Sequence, residues 1–156
     1  MMPSMSRIYV IRHAAAEEPG ARSDFARRLT ERGRWQAREA GRALRERAPA
    51  LAAILTSPAA RAAETAEIMA AEFAPRPTLE VCDALYGAGV TLDYLRARPE
   101  GGDVALVGHL PGIEIFARSL LSHTVELRFT TAAVCCIEFE GAPALAQGRL
   151  AWLLTP

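Results

Sequence analysis

Runs of apolar residues along the chain alternate with stretches in which apolar residues recur every three or four positions. The runs predict strands at residues 8–11, 51–56, 79–82, 104–108, 133–139 and 149–154. The helical spacing predicts helices over residues 33–48, 58–73 and 91–97 and from Pro111 onward, with residues 14–28 as a loop. Because no repeat or linker interrupts this order, we expect one domain over residues 1–156, with residues 1–6 flexible.

The alternation of strands and helices predicts an α/β fold, a three-layer sandwich around a mostly parallel central sheet. The last two strands are joined by a turn that contains Gly and Pro, so we expect them to form an antiparallel edge. In such sheets, ligands bind beyond the C-terminal ends of the strands. His13 follows the first strand, Ser57 the second and His109 the fourth. These positions are therefore expected to meet in one crevice.

Two histidines and two arginines are candidate site residues at this edge of the sheet. Arg12 and His13 end the first strand, and His109 ends the fourth. If the Ser-Pro pair at 57–58 caps and opens the next helix, Arg61 lies in its first turn. Arginine binds phosphate through two parallel N–H donors, and a neutral imidazole is a nucleophile near pH 7. The set favours phosphoryl chemistry that needs no metal and no cofactor.

Composition and charge limit the possible partners. The chain has 156 residues, of which 51% are apolar and 23% charged, as in an ordinary globular domain. Its 18 basic residues are all arginine and balance 18 acidic residues, which excludes a uniformly basic surface for nucleic acid. The charges are segregated, because residues 1–61 carry 12 Arg and 6 acidic residues, and residues 62–156 carry 6 and 12.

Cysteine usage and hydropathy predict the compartment. The three cysteines are an odd number without disulfide spacing, which is typical of a reduced protein. No apolar segment is long enough to cross a membrane, and the first residues lack the apolar core of a signal peptide. We therefore expect a cytoplasmic protein that binds neither membrane nor nucleic acid.

Four short segments, in order along the chain, resemble motifs of the histidine phosphatase superfamily, whose fold is phosphoglycerate mutase-like. Residues 8–14 (IYVIRHA) resemble its strand followed by Arg-His-Gly, with alanine in place of the glycine. Residues 27–33 (RRLTERG), 57–65 (SPAARAAET) and 107–109 (VGH) resemble the segments that follow in that family. The short chain, its last residues and the lack of a long insertion before the second histidine resemble the SixA-type phosphohistidine phosphatases.

The resemblance implies a role for each matching residue. His13 would be the transiently phosphorylated nucleophile, and Arg12, Arg61 and His109 would hold the phosphoryl group. Arg27 would be a fourth contact. The implied partner is a phosphorylated histidine-containing protein, such as the phosphotransfer domain of a phosphorelay, or a small phosphorylated molecule.

The wider superfamily supplies a carboxylic acid that protonates an alkoxide leaving group. Ala84 matches the position of that acid, and the nearest carboxylate is Asp83, which is a candidate general acid. A leaving imidazole is far less basic than an alkoxide, and general acid catalysis contributes about 10²–10⁴-fold. A missing acid would therefore favour phosphohistidine as the substrate.

Three other functions stay open at this point. A small-molecule phosphomonoesterase of the same superfamily would be favoured by a working acid near Asp83. A non-catalytic phosphate-binding module would need only the arginines, so the presence of His13 and His109 argues against it. A metal site formed by the two histidines and Asp83 is disfavoured, because the neighbouring arginines would repel a cation.

Other charged residues have simpler interpretations. Asp24 is interpreted as an exposed ion-pair partner of Arg27 rather than as a catalytic acid. His123 is interpreted as a surface residue or as a core residue whose hydrogen bonds are satisfied. Four arginines recur on one face of the helix predicted at 33–48, either as a solvated face or as a docking surface for an acidic protein: Arg34, Arg38, Arg42 and Arg45.

Overall fold

The structure, a computed structural model, describes residues 4–20, 22–87, 92–96 and 102–156. These residues form the strands β1 (Met5–Arg12), β2 (Ala53–Thr56), β3 (Thr78–Val81), β4 (Val104–Gly108), β5 (Val134–Glu140) and β6 (Arg149–Leu154). They also form the helices α1 (Glu31–Arg47), α2 (Ala60–Ala70), α3 (Leu92–Arg96) and α4 (Gly112–Leu120). Single 3₁₀ turns lie at Asp24–Ala26 and Asp83–Leu85.

The strands form one sheet in the order β3-β2-β4-β1-β5-β6. Strands β1 to β4 run parallel, whereas β5 pairs antiparallel with β1, and β6 pairs antiparallel with β5. The prediction of a mostly parallel sheet with an antiparallel edge is confirmed. Because β1 lies between β4 and β5, the strand that leads to His13 is hydrogen-bonded on both sides.

Alternate residues of β1 pack into two separate apolar cores. Ile8 and Val10 belong to the core beneath α4, whereas Tyr9 and Ile11 belong to the core beneath α1 and α2. A strand that is buried on both faces reads as a continuous apolar run rather than as an alternating pattern. Helices cover both faces of the sheet, which confirms the three-layer α/β sandwich.

Helix α1 begins two residues before its predicted start, because Thr30 caps it. The Thr30 hydroxyl accepts a hydrogen bond from the Gly33 N–H at 3.0 Å. A Cβ atom at Gly33 would lie 1.9 Å from the carbonyl oxygen of Ala15. Only glycine therefore lets α1 approach the turn after His13 this closely.

Helix α2 begins at Ala60, two residues later than predicted, and the predicted Ser57 cap is wrong. The N-cap is Ala59. The Ser57 hydroxyl accepts a hydrogen bond from the Ala59 N–H at 3.2 Å and lies 2.8 Å from Nε2 of His109. This serine therefore contacts the crevice rather than a helix turn. Arg61 nevertheless lies in the first turn of α2, as expected.

Other element boundaries also differ from their predicted positions. Met5 and Ser6 pair with β5 although residues 1–6 were expected to be flexible, and residues 1–3 lie outside the described part of the chain. Helix α2 ends at Ala70 rather than near residue 73. The helix predicted over 91–97 is present as α3, and both of its predicted end residues lie outside the described residues.

The arginine face of α1 points to solvent and is partly paired. Arg42 forms ion pairs with Glu39 and Glu72, both at 3.0 Å. Arg45 donates a hydrogen bond to the Glu72 carbonyl oxygen at 3.4 Å. These contacts are typical of a solvated helix face, and a docking role stays a prediction. His123 is exposed, so it is a surface residue.

Candidate active site

His13 and His109 meet at the C-terminal edge of the sheet. In the register of β1 with β4, Arg12 pairs with Gly108, so the next residue on each strand is one of the histidines. The centroids of the two imidazole rings are 5.2 Å apart. The structure therefore brings the two predicted histidines together.

The His13 ring is oriented by its neighbour in the chain. Its Nδ1 atom lies 2.7 Å from the carbonyl oxygen of Ala14, which can only accept a hydrogen bond. Nδ1 therefore carries the proton, and Nε2 keeps its lone pair. Burial, assisted by the nearby positive charges of Arg61 and Arg12, lowers the pKa of His13 to about 4 against the opposing effect of this hydrogen bond. At pH 7 the ring is neutral and its Nε2 atom can act as a nucleophile.

Arg12 and Arg61 are both anchored by backbone oxygens. Arg12 donates from Nη1 to the carbonyl oxygen of Phe129 at 3.0 Å. Arg61, whose side chain is 7% exposed, donates from Nη1 to the carbonyl oxygen of Asp24 at 2.7 Å. These contacts fix the two guanidinium groups before any ligand binds, which is the preorganisation that electrostatic catalysis requires.

Three buried side-chain nitrogen atoms within the described residues have no hydrogen-bond partner. They are Nε of Arg12, Nε of Arg61 and Nδ1 of His109. Buried polar atoms are almost always paired in native proteins. The unpaired atoms belong to the three residues expected to hold the phosphoryl group, so this cluster is suited to an anion with several oxygen atoms.

His109 is held by the strand-end serine of β2. Its Nε2 atom lies 2.8 Å from the Ser57 hydroxyl, which leaves Nδ1 as the unpaired atom. Burial first, and then the positive charge of Arg61, lowers the pKa of His109 to about 4. Both imidazoles are therefore neutral near pH 7, and the positive charge of the site comes from arginine.

Asp24 joins two of the site arginines. One carboxylate oxygen accepts hydrogen bonds from Nε and Nη2 of Arg27 at 3.3 and 3.0 Å. The other accepts from Nη2 of Arg61 at 3.2 Å and from the Tyr86 hydroxyl at 2.9 Å. Hydrogen bonds from Arg27 and Tyr86 in particular lower the pKa of Asp24 to about 2. The predicted pair with Arg27 exists, but Asp24 lies at the site rather than apart from it.

The candidate general acid Asp83 is not part of this cluster. Its side chain is exposed, and the described hydrogen bonds and ion pairs of the site residues do not include it. The turn that begins at Asp83 instead brings Tyr86 to the site, where the tyrosine ring lies 5.6 Å from the ring of His109. Within the described residues, Asp24 is the carboxylate that hydrogen-bonds to the site arginines.

The turn after His13 is tied to both neighbouring helices by side chains that the sequence analysis did not single out. Thr65 of α2 accepts a hydrogen bond from the Ala14 N–H at 3.0 Å, and Gln36 of α1 accepts one from the Ala15 N–H at 2.9 Å. Both polar side chains are buried. The available signal was the presence of Thr65 at the end of the conspicuous segment 57–65; nothing comparable marks Gln36.

Apolar side chains surround the mouth of the crevice. Phe25 packs edge-on against Tyr86 with ring centroids 5.3 Å apart, and both residues are largely exposed. Beside His109, an apolar pocket is lined by Leu85, Leu110 and Phe116 among others.

Two further observations concern membranes and metals. Across the described ranges, no helix has the length and hydropathy needed to span a bilayer. His13, His109 and Asp83 do not come together as metal ligands, and no other group of three His, Cys, Asp or Glu residues does so in the part of the chain described.

Several solved structures similar to this chain are phosphatases by name. The chain is similar to the protein histidine phosphatase SixA in complex with tungstate, with a TM-score of 0.83 and 26% identity over 96% of this chain and 97% of that one. It is also similar to the putative phosphohistidine phosphatase SixA of Nakamurella multipartitia, with a TM-score of 0.84 and 27% identity over 100% of this chain and 99% of that one. For the putative phosphohistidine phosphatase SixA of Agrobacterium tumefaciens, the TM-score is 0.81 and the identity 26%, over 96% of this chain and 97% of that one.

A family model that matches the sequence shows which superfamily the chain belongs to. The model of the histidine phosphatase superfamily (branch 1) matches residues 8–86, which are 79 of the 156 residues. The chain belongs to this superfamily and is a phosphatase, a hydrolase of phosphoryl groups. No curated protein matches the sequence significantly.

Proposed function

We propose that this enzyme is a metal-independent phosphohistidine phosphatase that removes the phosphoryl group from a histidine phosphotransfer protein. The observation that carries the proposal is the set of three unpaired buried nitrogens of Arg12, Arg61 and His109 beside a neutral His13. Phosphoryl transfer through a phosphoenzyme requires a nucleophile with a free lone pair. It also requires polar atoms that are fixed in place to bind the phosphoryl oxygens.

In the first step, Nε2 of His13 attacks the phosphorus atom in line with the leaving nitrogen. The new N–P bond forms as the P–N bond of the substrate breaks, and the bonding pair goes to the departing imidazole. Arg12, Arg61 and His109 contact the three equatorial oxygens, with Arg27 as a further positive charge. Their free atoms contribute most when charge spreads over those oxygens in the transition state.

In the second step, water attacks the phosphoryl group on His13. The N–P bond breaks, its electron pair returns to Nε2, and inorganic phosphate leaves. The hydrogen bond from Nδ1 to the Ala14 carbonyl keeps the ring in one orientation through both steps. The cycle needs no metal ion and no change of oxidation state in the protein.

The ionised state of Asp24 supports phosphohistidine over phosphate esters. An ester needs a protonated acid to neutralise its leaving alkoxide, and the carboxylate at the site has its pKa lowered to about 2. Asp83 does not reach the site residues in the described contacts. A phosphorylated imidazole that already carries a proton on its other nitrogen leaves as a neutral ring and needs no acid from the protein, and the similar SixA structures are described as histidine phosphatases.

The proposal is tested by comparing kcat/KM on a phosphorylated histidine phosphotransfer protein with kcat/KM on a panel of alkyl phosphate esters. We expect the phosphohistidine protein to be preferred by at least about 100-fold, the scale of general acid catalysis. A preference for one small ester would instead make the enzyme a phosphomonoesterase. Binding of phosphate without turnover of any substrate would make it a binding module.

We further propose a cytoplasmic location and a role in signal transduction. The three cysteines are buried free thiols, which suits a reducing compartment. Histidine phosphotransfer proteins work in the same compartment, so enzyme and substrate would meet there.

A further inference from the structure

The carboxylate of Asp24 occupies the solvent side of the site. It accepts hydrogen bonds from Arg61 and Tyr86 through one oxygen and from Arg27 through the other. Its side chain is 56% exposed, whereas that of Arg61, which it contacts, is 7% exposed. Asp24 therefore lies between the buried arginine and solvent.

This position corresponds to the leaving group rather than to the nucleophile. His13 is 9% exposed and forms the floor of the crevice. Displacement in line with its Nε2 atom places the leaving group on the opposite side of phosphorus, toward the mouth. There, the Asp24 carboxylate accepts hydrogen bonds from Arg61 and from the Tyr86 hydroxyl.

The charge of the site is matched to one phosphoryl dianion. Arg12, Arg27 and Arg61 supply three positive charges and Asp24 one negative charge, and both imidazoles are neutral near pH 7. The net charge of these groups is therefore +2. A departing anion would add negative charge next to Asp24, whereas a departing neutral ring would not.

We propose that Asp24 determines leaving-group specificity: its carboxylate accepts a hydrogen bond from the second nitrogen of the leaving imidazole and disfavours groups that leave as anions. This inference rests on the proposed function. The substrate ring binds with a proton on the nitrogen that is not phosphorylated, which is accessible near neutrality because imidazole titrates there. When the P–N bond breaks, its electron pair stays on the ring, which leaves as neutral imidazole. No proton is taken from the protein.

The rim of the crevice fits such a leaving ring. The exposed rings of Phe25 and Tyr86 lie beside Asp24, and the Tyr86 hydroxyl fixes one oxygen of the carboxylate. A flat ring can therefore contact the apolar rim while its N–H points to the remaining lone pairs of Asp24.

The test compares Asp24→Asn with the wild-type enzyme on two small substrates, phosphoimidazole and p-nitrophenyl phosphate. The first loses a neutral ring and the second loses an anion whose departure needs no acid. We expect kcat/KM on phosphoimidazole to fall by about tenfold to 100-fold, the range for a hydrogen bond to a charged group. We expect kcat/KM on p-nitrophenyl phosphate to stay the same or rise.

Two further variants complete the design. Glu17→Gln removes a carboxylate of the same loop, which pairs with Arg22 and the Arg28 N–H, and should leave both values unchanged. Tyr86→Phe frees one oxygen of Asp24 without changing the charge. It should lower the ratio of kcat/KM on phosphoimidazole to kcat/KM on p-nitrophenyl phosphate, but by less than Asp24→Asn does. If Asp24→Asn does not fold, Tyr86→Phe is compared with the wild-type enzyme alone: a lower ratio supports the inference, and an unchanged ratio overturns it.

Equal losses on both substrates, or an unchanged ratio, would overturn the inference and leave Asp24 as a residue that merely holds the arginines. Failure of the proposed function looks different, because the wild-type enzyme would then show no preference for phosphohistidine over alkyl esters.

Discussion

The Thr65 hydroxyl accepts a hydrogen bond from the Ala14 N–H at 3.0 Å, and this contact joins helix α2 to the turn that follows β1. The same hydroxyl donates to the carbonyl oxygen of Arg61 at 2.7 Å, in the first turn of the helix. One buried side chain thus links the segment that orients His13 to the residue expected to hold the phosphoryl group. The nucleophile and the arginine share a support.

Thr65→Val should therefore weaken both stability and catalysis. Valine has the same shape but leaves the buried Ala14 N–H without an acceptor, which costs about 1–3 kcal/mol. We expect Tm to fall by several degrees and kcat/KM to fall by at least about tenfold, since small displacements at a reacting centre are costly. Thermal unfolding and steady-state kinetics measure the two effects. Thr65→Ser keeps the hydroxyl and should retain most activity; equal losses in both variants would contradict the role of this hydrogen bond.

Replacement of His13 tests the phosphoenzyme. His13→Ala should abolish turnover, because the other neutral imidazole of the site, His109, is held by Ser57 and is expected to contact the phosphoryl oxygens rather than to attack phosphorus. Rapid quenching of the wild-type enzyme should trap a phosphoryl group that is stable in base and labile in acid, as expected for phosphohistidine. Mass spectrometry of the quenched protein should locate it on His13. Wild-type turnover by the alanine variant would rule the assignment out.

The titration of the two site histidines should lie far into acid. Burial lowers the pKa of His13 and of His109 to about 4 in the folded protein, below the value near 6.5 of an unfolded chain. NMR titration of their ring protons should give midpoints near 4, and a midpoint near 6.5 for His13 would contradict the effect of burial on its pKa.

The same pKa difference makes stability depend on pH. Between the two values the unfolded state binds more protons than the folded state, so the free energy of unfolding rises with pH in this window. The contribution is therefore complete above about pH 6.5 and is lost as the pH falls toward 4. Urea unfolding at pH 7.5 and pH 5 should show lower stability at pH 5. Replacing both histidines with Asn should reduce that difference.

Gly33 sets the distance between α1 and the turn after His13. In Gly33→Ala the new methyl group would meet the Ala15 carbonyl at 1.9 Å, so the helix must move away. We expect a loss of about 1–3 kcal/mol in unfolding free energy, as for overpacked interiors, together with reduced kcat. In the exposed Gly20→Ala control, the nearest atom is 3.8 Å away, and unfolding and kinetics should stay close to wild type. Equal behaviour of the two variants would remove the steric argument.

The fold could be predicted because the decisive signals are local. The inner strands are buried on both faces, so each appears as an apolar run, and the residues just beyond β1 and β4 mark the site. His13 and His109 could be placed together because the C-terminal ends of parallel strands share one edge of the sheet. Arg61 followed from its place in the first turn of a helix.

The errors come from contacts between distant parts of the chain. Strand β1 begins at Met5 because β5 pairs with it there, 135 positions further on at Glu140. Ser57 does not cap α2 because its hydroxyl faces His109. The contact of Asp24 with Tyr86 spans 62 positions and depends on where two loops meet, so no local pattern could reveal it.

The floor and the mouth of the crevice are formed by different kinds of structural element. The floor stands at the end of β1, which is held on both sides in the middle of the sheet, whereas the mouth is formed by the short turns Asp24–Ala26 and Asp83–Leu85 with the adjoining Tyr86. Neither turn contains a strand of the sheet. Replacing these turns should therefore change which substrates the enzyme accepts, while the histidines at the strand ends stay in place.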